Sequence, residues 1–335
     1  QNIANALQEI PNRWECPLSK IHVIVHDNGC NTVKAVSEAA MNTACCFIHT
    51  LQLVVKDSLK VEAEVEETIA AGRRLEDLRI AKYNLERLLE QKRAISFYLT
   101  DTANISNLNA EKWEIVDQLL KLLKPFEEIT KITSSNYFCL SEIIPHVVTL
   151  NRYYDKTVSS DLEPKLKSMA IAMQQGMKQR FSRIDDSKNY LIATLLDPRF
   201  KMNFFTDQLQ KERARQYVLL EGLVSDYNTS SDESARSCPV QSKRKRTDEP
   251  EQSIHTSFWE CYDEVVAENF TDDHSGTAST SKNTIAGDLD KYLSMKTLKR
   301  TDNPFAWWAT HKSKFSECIV KLAAKYLSAP ASSVF

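Results

Sequence analysis

The chain has 335 residues, 42% hydrophobic and 26% charged, so it is long enough to bury a sizeable core and too apolar to be disordered throughout. A formal net charge of −2 excludes a global electrostatic pull towards nucleic acid; any such binding has to use local patches or sequence outside this chain. Six glycines, with neither GxGxxG nor GxxxxGK, disfavour a nucleotide-binding fold with Gly-rich loops and favour helices.

Eight scattered cysteines point to free thiols in a reducing compartment. No apolar run approaches the roughly 20 residues of a membrane helix, so a soluble intracellular protein with no membrane partner is expected. The chain opens at Gln1 inside an amphipathic helical pattern, IANALQEI, which reads as a piece of something longer.

After NRWECPLSK, Ile21, Val23 and Val25 alternate with His22, Ile24 and His26 in a short strand. Gly29 and two asparagines end it. Asp27 therefore falls at the strand's carboxyl end, where open α/β sheets place their chemistry. The turn Asn28-Gly29-Cys30-Asn31 leads into a helix capped by Asn31 or Thr32 and carrying Val33, Val36, Ala39 and Ala40. Cys46 to His49 then enters a helix whose Leu51, Val55 and Leu59 share a face. Cys46 and His49 have the spacing of half a zinc site, but no second ligand pair follows at suitable spacing, which favours a structural pair.

Val61 to about Leu99 is charged and helical, with Leu75, Leu78, Leu85, Leu88 and Leu89 at helical spacing. Asn109 to Thr133 carries one stripe of Trp113, Val116, Leu119, Leu120, Leu123 and Phe126, and Pro125 either kinks or ends that helix. Helices follow at Leu140 to Tyr154 and at Leu162 to Phe181, the latter with Leu166, Met169, Ala170, Met173 and Met177 turned inward. In the next helix, Pro198 keeps Asp197 out of the α region, and Arg199 can pair with Asp197 or a neighbour; no catalysis is assigned to this aspartate. From Asp226 to about Ala286 the composition is that of a disordered linker, interrupted by HTSFWECYDEVV, a short docking helix. Inside it Lys243, Arg244, Lys245 and Arg246 form a basic cluster, a candidate nuclear import signal or phosphate contact. Near the end Asp302 or Asn303 caps and Pro304 starts one or two helices with a large apolar surface, whose Trp307 and Trp308 face either the chain's own core or a partner.

The strand, D-N-G-x-N, helix and C-F-x-H-T-L-Q-L-V-V order of 21–60 resembles the segment around the second catalytic aspartate of hAT-superfamily DNA transposases and their zinc finger BED relatives. Further resemblance lies in 85–100, in A-T-L-L-D-P-R-F-K within 190–201, and in the DLDKYL segment, Trp-Trp pair and K-Y-L-S-x-P-A-S-S run of 288–335. It implies an α/β but mainly α architecture. The parts would be a partial RNase H-like core (1–60), an all-helical insertion (61–225), a disordered linker (226–287) and the start of the C-terminal dimerisation region (288–335). It makes Asp27 one of three carboxylates holding two Mg²⁺ or Mn²⁺ ions in the family's two-metal strand chemistry. Cys46 and His49 match the family's Cys-x-x-His pair, and Trp307, Trp308, Phe315, Leu322, Tyr326 and Leu327 fall in its dimerisation region.

The family's other two acids would lie upstream of Gln1 and just after the P-A-S-S run, so no cofactor is expected on this chain by itself, and Zn²⁺ only in an upstream BED finger. Where the family usually has Arg-Trp-Asn, this chain reads LEDLRIAKYN. The implied protein is a domesticated, transposase-derived nuclear protein acting as a homodimer or higher homo-oligomer on DNA, with nuclease activity lost. The alternative is an active cut-and-paste transposase.

Overall fold

The computed structural model describes residues 2–62, 86, 89–92, 110–133, 138–228, 256–269 and 284–332. The first helix, α1 (Asn2–Arg13), packs against α2 (Cys30–Glu38). Between them runs β1 (Ile24–His26), paired in parallel with β2 (Thr43–Cys45) in the register Ile24 to Thr43, Val25 to Ala44 and His26 to Cys45. This is a strand, helix, strand unit, with the helix crossing between parallel partners as a parallel pair requires. α2 starts at Cys30, two residues earlier than a cap at Asn31 allows and three earlier than one at Thr32. Gly29 is its N-cap and no side chain caps it, so neither Asn31 nor Thr32 fills that role. Val36 and Ala39 face inward, while Val33 is exposed and Ala40 leaves the helix at a φ of 52°.

α3 (Phe47–Leu59) buries Leu51, Val55 and Leu59 as its spacing requires and lies against α4 (Ala110–Thr133) and α6 (Pro164–Arg180). Gly176 of α6 permits the close crossing with α3, since a Cβ there would stand 3.2 Å from Val54. Pro125 does not end α4, which runs on to Thr133 with Trp113, Val116, Leu119, Leu123 and Phe126 buried. The helix expected across 61–99 falls almost wholly outside the described residues.

A 3₁₀ turn at Leu140–Glu142 opens α5 (Ile143–Ser159), which packs on α6. Central to this half is α7 (Lys188–Leu196): Asn189 to Leu196 are all buried, so the helix is apolar on every side and must be surrounded. It is, by α5, α8 (Gln208–Asn228) and α12 (Glu317–Leu327). α7 stops at Asp197, held extended by the following proline. Asp197 accepts hydrogen bonds from the Ser141 hydroxyl at 2.7 Å and from the Arg199 guanidinium at 2.7 and 3.0 Å; Arg199 also reaches Glu142 at 3.1 Å. All of these side chains are buried.

The HTSFWECYDEVV docking helix is α9 (Thr256–Asn269), which buries Phe258, Trp259, Cys261, Tyr262 and Val265 against α5 and is pinned at its rim by Arg152 and Lys156 to Glu264. The last segment contains α10 (Ile285–Ser294), α11 (Pro304–His311) and α12. Of the two candidate caps it is Asn303 that caps α11, through hydrogen bonds from Phe305 and Ala306, with Pro304 at its first turn as the sequence predicts. This segment is tied to the rest by polar contacts. The Trp308 indole donates to the Leu196 carbonyl at 2.9 Å, and the Lys201 ammonium caps the carboxyl end of α10 through the Tyr292 carbonyl at 2.9 Å and that of Met295. Lys201 reaches it from a left-handed backbone, φ 49°, which costs about 1–2 kcal/mol.

Candidate functional site

His26 closes β1 buried, and the chain turns out to solvent at Asp27. The Asp27 carboxylate accepts the Gly29 amide at 3.2 Å, and that hydrogen bond, followed by one from the Thr32 hydroxyl and the nearby His49 and His26, holds its pKa below the usual carboxylate value. It is therefore an exposed anion at neutral pH, set at the carboxyl end of a parallel pair. Asn28 fixes the same turn from the other side: its amide donates to the Thr50 hydroxyl at 2.9 Å, and Thr50 donates in turn to the Cys46 carbonyl at 2.9 Å.

Cys46 is buried at the N-cap of α3, its amide on the His26 carbonyl at 2.6 Å and its sulfur 3.4 Å from the Ser332 hydroxyl. Beside it the Phe47 amide donates to the Ala331 carbonyl at 2.9 Å. Ala331 and Ser332 thus lie against the start of α3, where Cys46 also meets the end of the strand that precedes Asp27. His49 is half-buried one turn into α3. A cavity of about 440 Å³ opens beside this turn, lined by Asn28, Thr50, Arg180, Arg183 and Tyr190. Arg180 is ion-paired with Asp57.

Among the described residues no three His, Cys, Asp or Glu side chains converge as ligands for a metal ion. Asp27 offers carboxylate oxygens suited to Mg²⁺ or Mn²⁺, but one carboxylate by itself does not form a two-ion site. The basic cluster Lys243 to Arg246 lies outside the described residues, as does LEDLRIAKYN.

Trp307, Trp308, Phe315, Leu322, Tyr326 and Leu327 are all buried within the single chain. Tyr292 stacks on Trp308 with centroids 5.1 Å apart, and Trp307 stacks on His311 at 4.2 Å. Sequence reasoning passed over the roles of Asn28, Thr50 and Ser332, which depend on contacts distant along the chain, and over Arg180 and Arg183, which line the cavity from a distant helix end and the turn after it.

Among the described residues the site and fold define a mainly helical chain with one short parallel strand pair and a C-terminal helical segment packed on the buried α7. Residues 288–335 match the hAT family C-terminal dimerisation region. Across most of its length the chain is similar to zinc finger BED domain-containing protein 4 of Homo sapiens, 23% identical over 354 aligned residues that cover 94% of this chain and 28% of that protein. It is also similar to zinc finger BED domain-containing protein 6, 24% identical over 382 residues in Homo sapiens and 23% over 383 in Mus musculus, covering 98% of this chain and 38% of each relative. The similarity to the zinc finger BED proteins thus runs over most of this chain, which spans about a third of the length of the curated relatives it matches.

Proposed function

We propose that the full-length protein is a transposase-derived nuclear protein that dimerises through its C-terminal region, binds DNA and no longer cleaves it. The observation that carries this reading is the match of residues 288–335 to a dimerisation region. The docking of its Ala331 and Ser332 on Phe47 and Cys46, at the start of the helix that follows the strand pair, supports an RNase H-like core completed by the C-terminal segment. Where the family has Arg-Trp-Asn this chain reads LEDLRIAKYN, with Tyr83 in place of a tryptophan; the smaller ring is a weaker platform for the unpaired bases of such chemistry, which supports weakened cleavage. Lys243 to Arg246 would serve nuclear import, and an upstream Zn²⁺-bound BED finger would supply DNA contacts.

Since the aromatic residues of this region are used inside the chain, a second copy would meet its outer surface. α8 packs on both α10 and α12 and exposes Leu220, Leu223 and Val224 along one edge, which supports that edge as the dimer contact.

A specific observation favours a second reading, an active transposase: Asp27 is exposed, ionised and at the strand's carboxyl end. The two are separated by a hairpin-opening and strand-cleavage assay with Mn²⁺ on the full-length protein and its Asp27→Ala variant, with light scattering on both. Cleavage that disappears in Asp27→Ala overturns the first reading. A folded dimer that shifts DNA in a gel but leaves it uncut upholds it.

A further inference from the structure

At the end of the strand pair opposite Asp27 the structure has a second, larger cavity of about 590 Å³. His22, two residues before β1, and Asn42, directly before β2, line it, which places it at the amino ends of both strands. Its charged groups come from three distant parts of the sequence: Lys20 before the strand, Lys188 and Glu221 from α7 and α8, and Lys325 from α12. Glu221 is 15% exposed and is held by Lys188 and by Lys325, the latter at 3.0 Å. Burial acts upward on its pKa, but the hydrogen bonds from the two lysines outweigh it and take the value down to about 2, so the carboxylate is ionised at any ordinary pH.

Three ammonium groups therefore face one carboxylate, and the excess in the cavity is positive. Each ammonium carries three N–H donors. Lys188 and Lys325 direct a donor at Glu221 yet remain 45% exposed, and Lys20 has no ion pair among the contacts of the described residues. The amino end of α7 opens on the same space: Ser187, its N-cap, lines the cavity without capping the helix through its side chain. The imidazole of His22 stands edge-on to Tyr326 with centroids 4.5 Å apart, and its buried Nε2 has no hydrogen-bond partner.

We infer that this cavity is a binding site for a phosphate-bearing ligand, with Lys20, Lys188 and Lys325 as the charged donors and Glu221 holding two of them in place. Several N–H donors converging from separate elements suit an anion with several acceptor oxygens, and the volume accommodates more than the phosphate alone. The inference does not rest on the proposed function, because it uses none of the residues around Asp27.

The test is titration calorimetry on the full-length protein with three probes: inorganic phosphate, adenosine monophosphate and a short 5′-phosphorylated oligonucleotide beside its unphosphorylated form. Saturable binding of at least one phosphate probe is expected, weakened about tenfold by Lys325→Gln through loss of a charge-assisted hydrogen bond. Lys20→Gln, at an exposed position whose loss leaves the Glu221 pairing intact, should weaken it about threefold by removing charge. Lys34→Gln, on the surface of α2, should leave it unchanged. Tighter binding of adenosine monophosphate than of the oligonucleotide assigns the site to a free nucleotide; preference for the phosphorylated oligonucleotide over both assigns it to a nucleic acid phosphate. Absence of saturable binding by the folded wild-type protein, or equal weakening by Lys34→Gln and Lys20→Gln, overturns the inference.

Discussion

The sulfur of Cys46 lies 3.4 Å from the hydroxyl of Ser332, across a sequence separation of 286 residues, both side chains buried. This contact, with the Phe47 amide on Ala331, joins Ala331 and Ser332 to the start of α3, directly after the strand pair. A double-mutant cycle of Cys46→Ala and Ser332→Ala, followed by urea unfolding, should give a coupling of about 0.5–1.5 kcal/mol, the range of a buried hydrogen bond. A coupling of zero would mean that the adjoining backbone bonds alone hold the run.

How much of this was legible depended on whether a contact is local. The turn and helix around Asp27 follow from residue spacing, as do the buried faces of α3, α4 and α6, whereas the strand expected from Ile21 is confined to Ile24–His26, and of its alternating set only Val25 lies in it. β2 was not legible: three residues between Asn42 and an N-cap bury only Ala44, which is too short a run to show alternation. Nor was the start of α2. Asp27 uses its side chain on Gly29 two residues on, and that local turn displaces the capping role expected of Asn31 or Thr32. The Trp307 and Trp308 stripe was ambiguous for a thermodynamic reason, since packing against one's own chain and against a partner bury the same apolar area. Asn28 to Thr50 had no sequence signal beyond a turn.

Arg199 is the next point of test. Its guanidinium holds Asp197 and Glu142 in a buried cluster, and burial raises Glu142 to about 7 even against the neighbouring Arg199 charge. Arg199→Met would leave two acids without their cation, and the expected loss is about 3–5 kcal/mol in urea unfolding. Arg199→Lys should recover only part of it, because a single ammonium cannot reproduce the fork that meets Asp197 through two nitrogens.

The C-terminal segment separates stability from association. Trp308→Phe removes the indole donor from the buried Leu196 carbonyl and should cost about 1–3 kcal/mol without changing the oligomeric state of the folded fraction. Leu223→Asp, 54% exposed on the outer edge of α8, should leave the melting temperature of the monomer unit within about a degree or two and shift light scattering towards half the wild-type mass. The reverse pattern would place the partner contact on the aromatic cluster instead.

His146 gives the chain a defined acid sensitivity. It is buried between Phe47, Phe138 and Trp259, and its Nδ1 meets the Glu142 carbonyl at 2.6 Å. Burial outweighs that hydrogen bond and lowers its pKa from 6.5 to about 4. The unfolded chain then binds a proton that the folded chain refuses between those values, so this residue's contribution is fully present above pH 6.5 and is lost as pH falls towards 4. Over that span it amounts to about 3 kcal/mol. Glu142, raised to about 7, acts with the opposite sign over much of the same range, and His22, also lowered to about 4, with the same sign. The wild-type profile is therefore a mixture, and the informative quantity is a difference. Urea unfolding of wild type and His146→Phe between pH 7 and pH 4 should show the variant gaining on wild type by about one proton's slope per pH unit, roughly 1.4 kcal/mol at its steepest. Parallel profiles would mean that His146 takes up its proton in the folded protein as readily as in the unfolded chain.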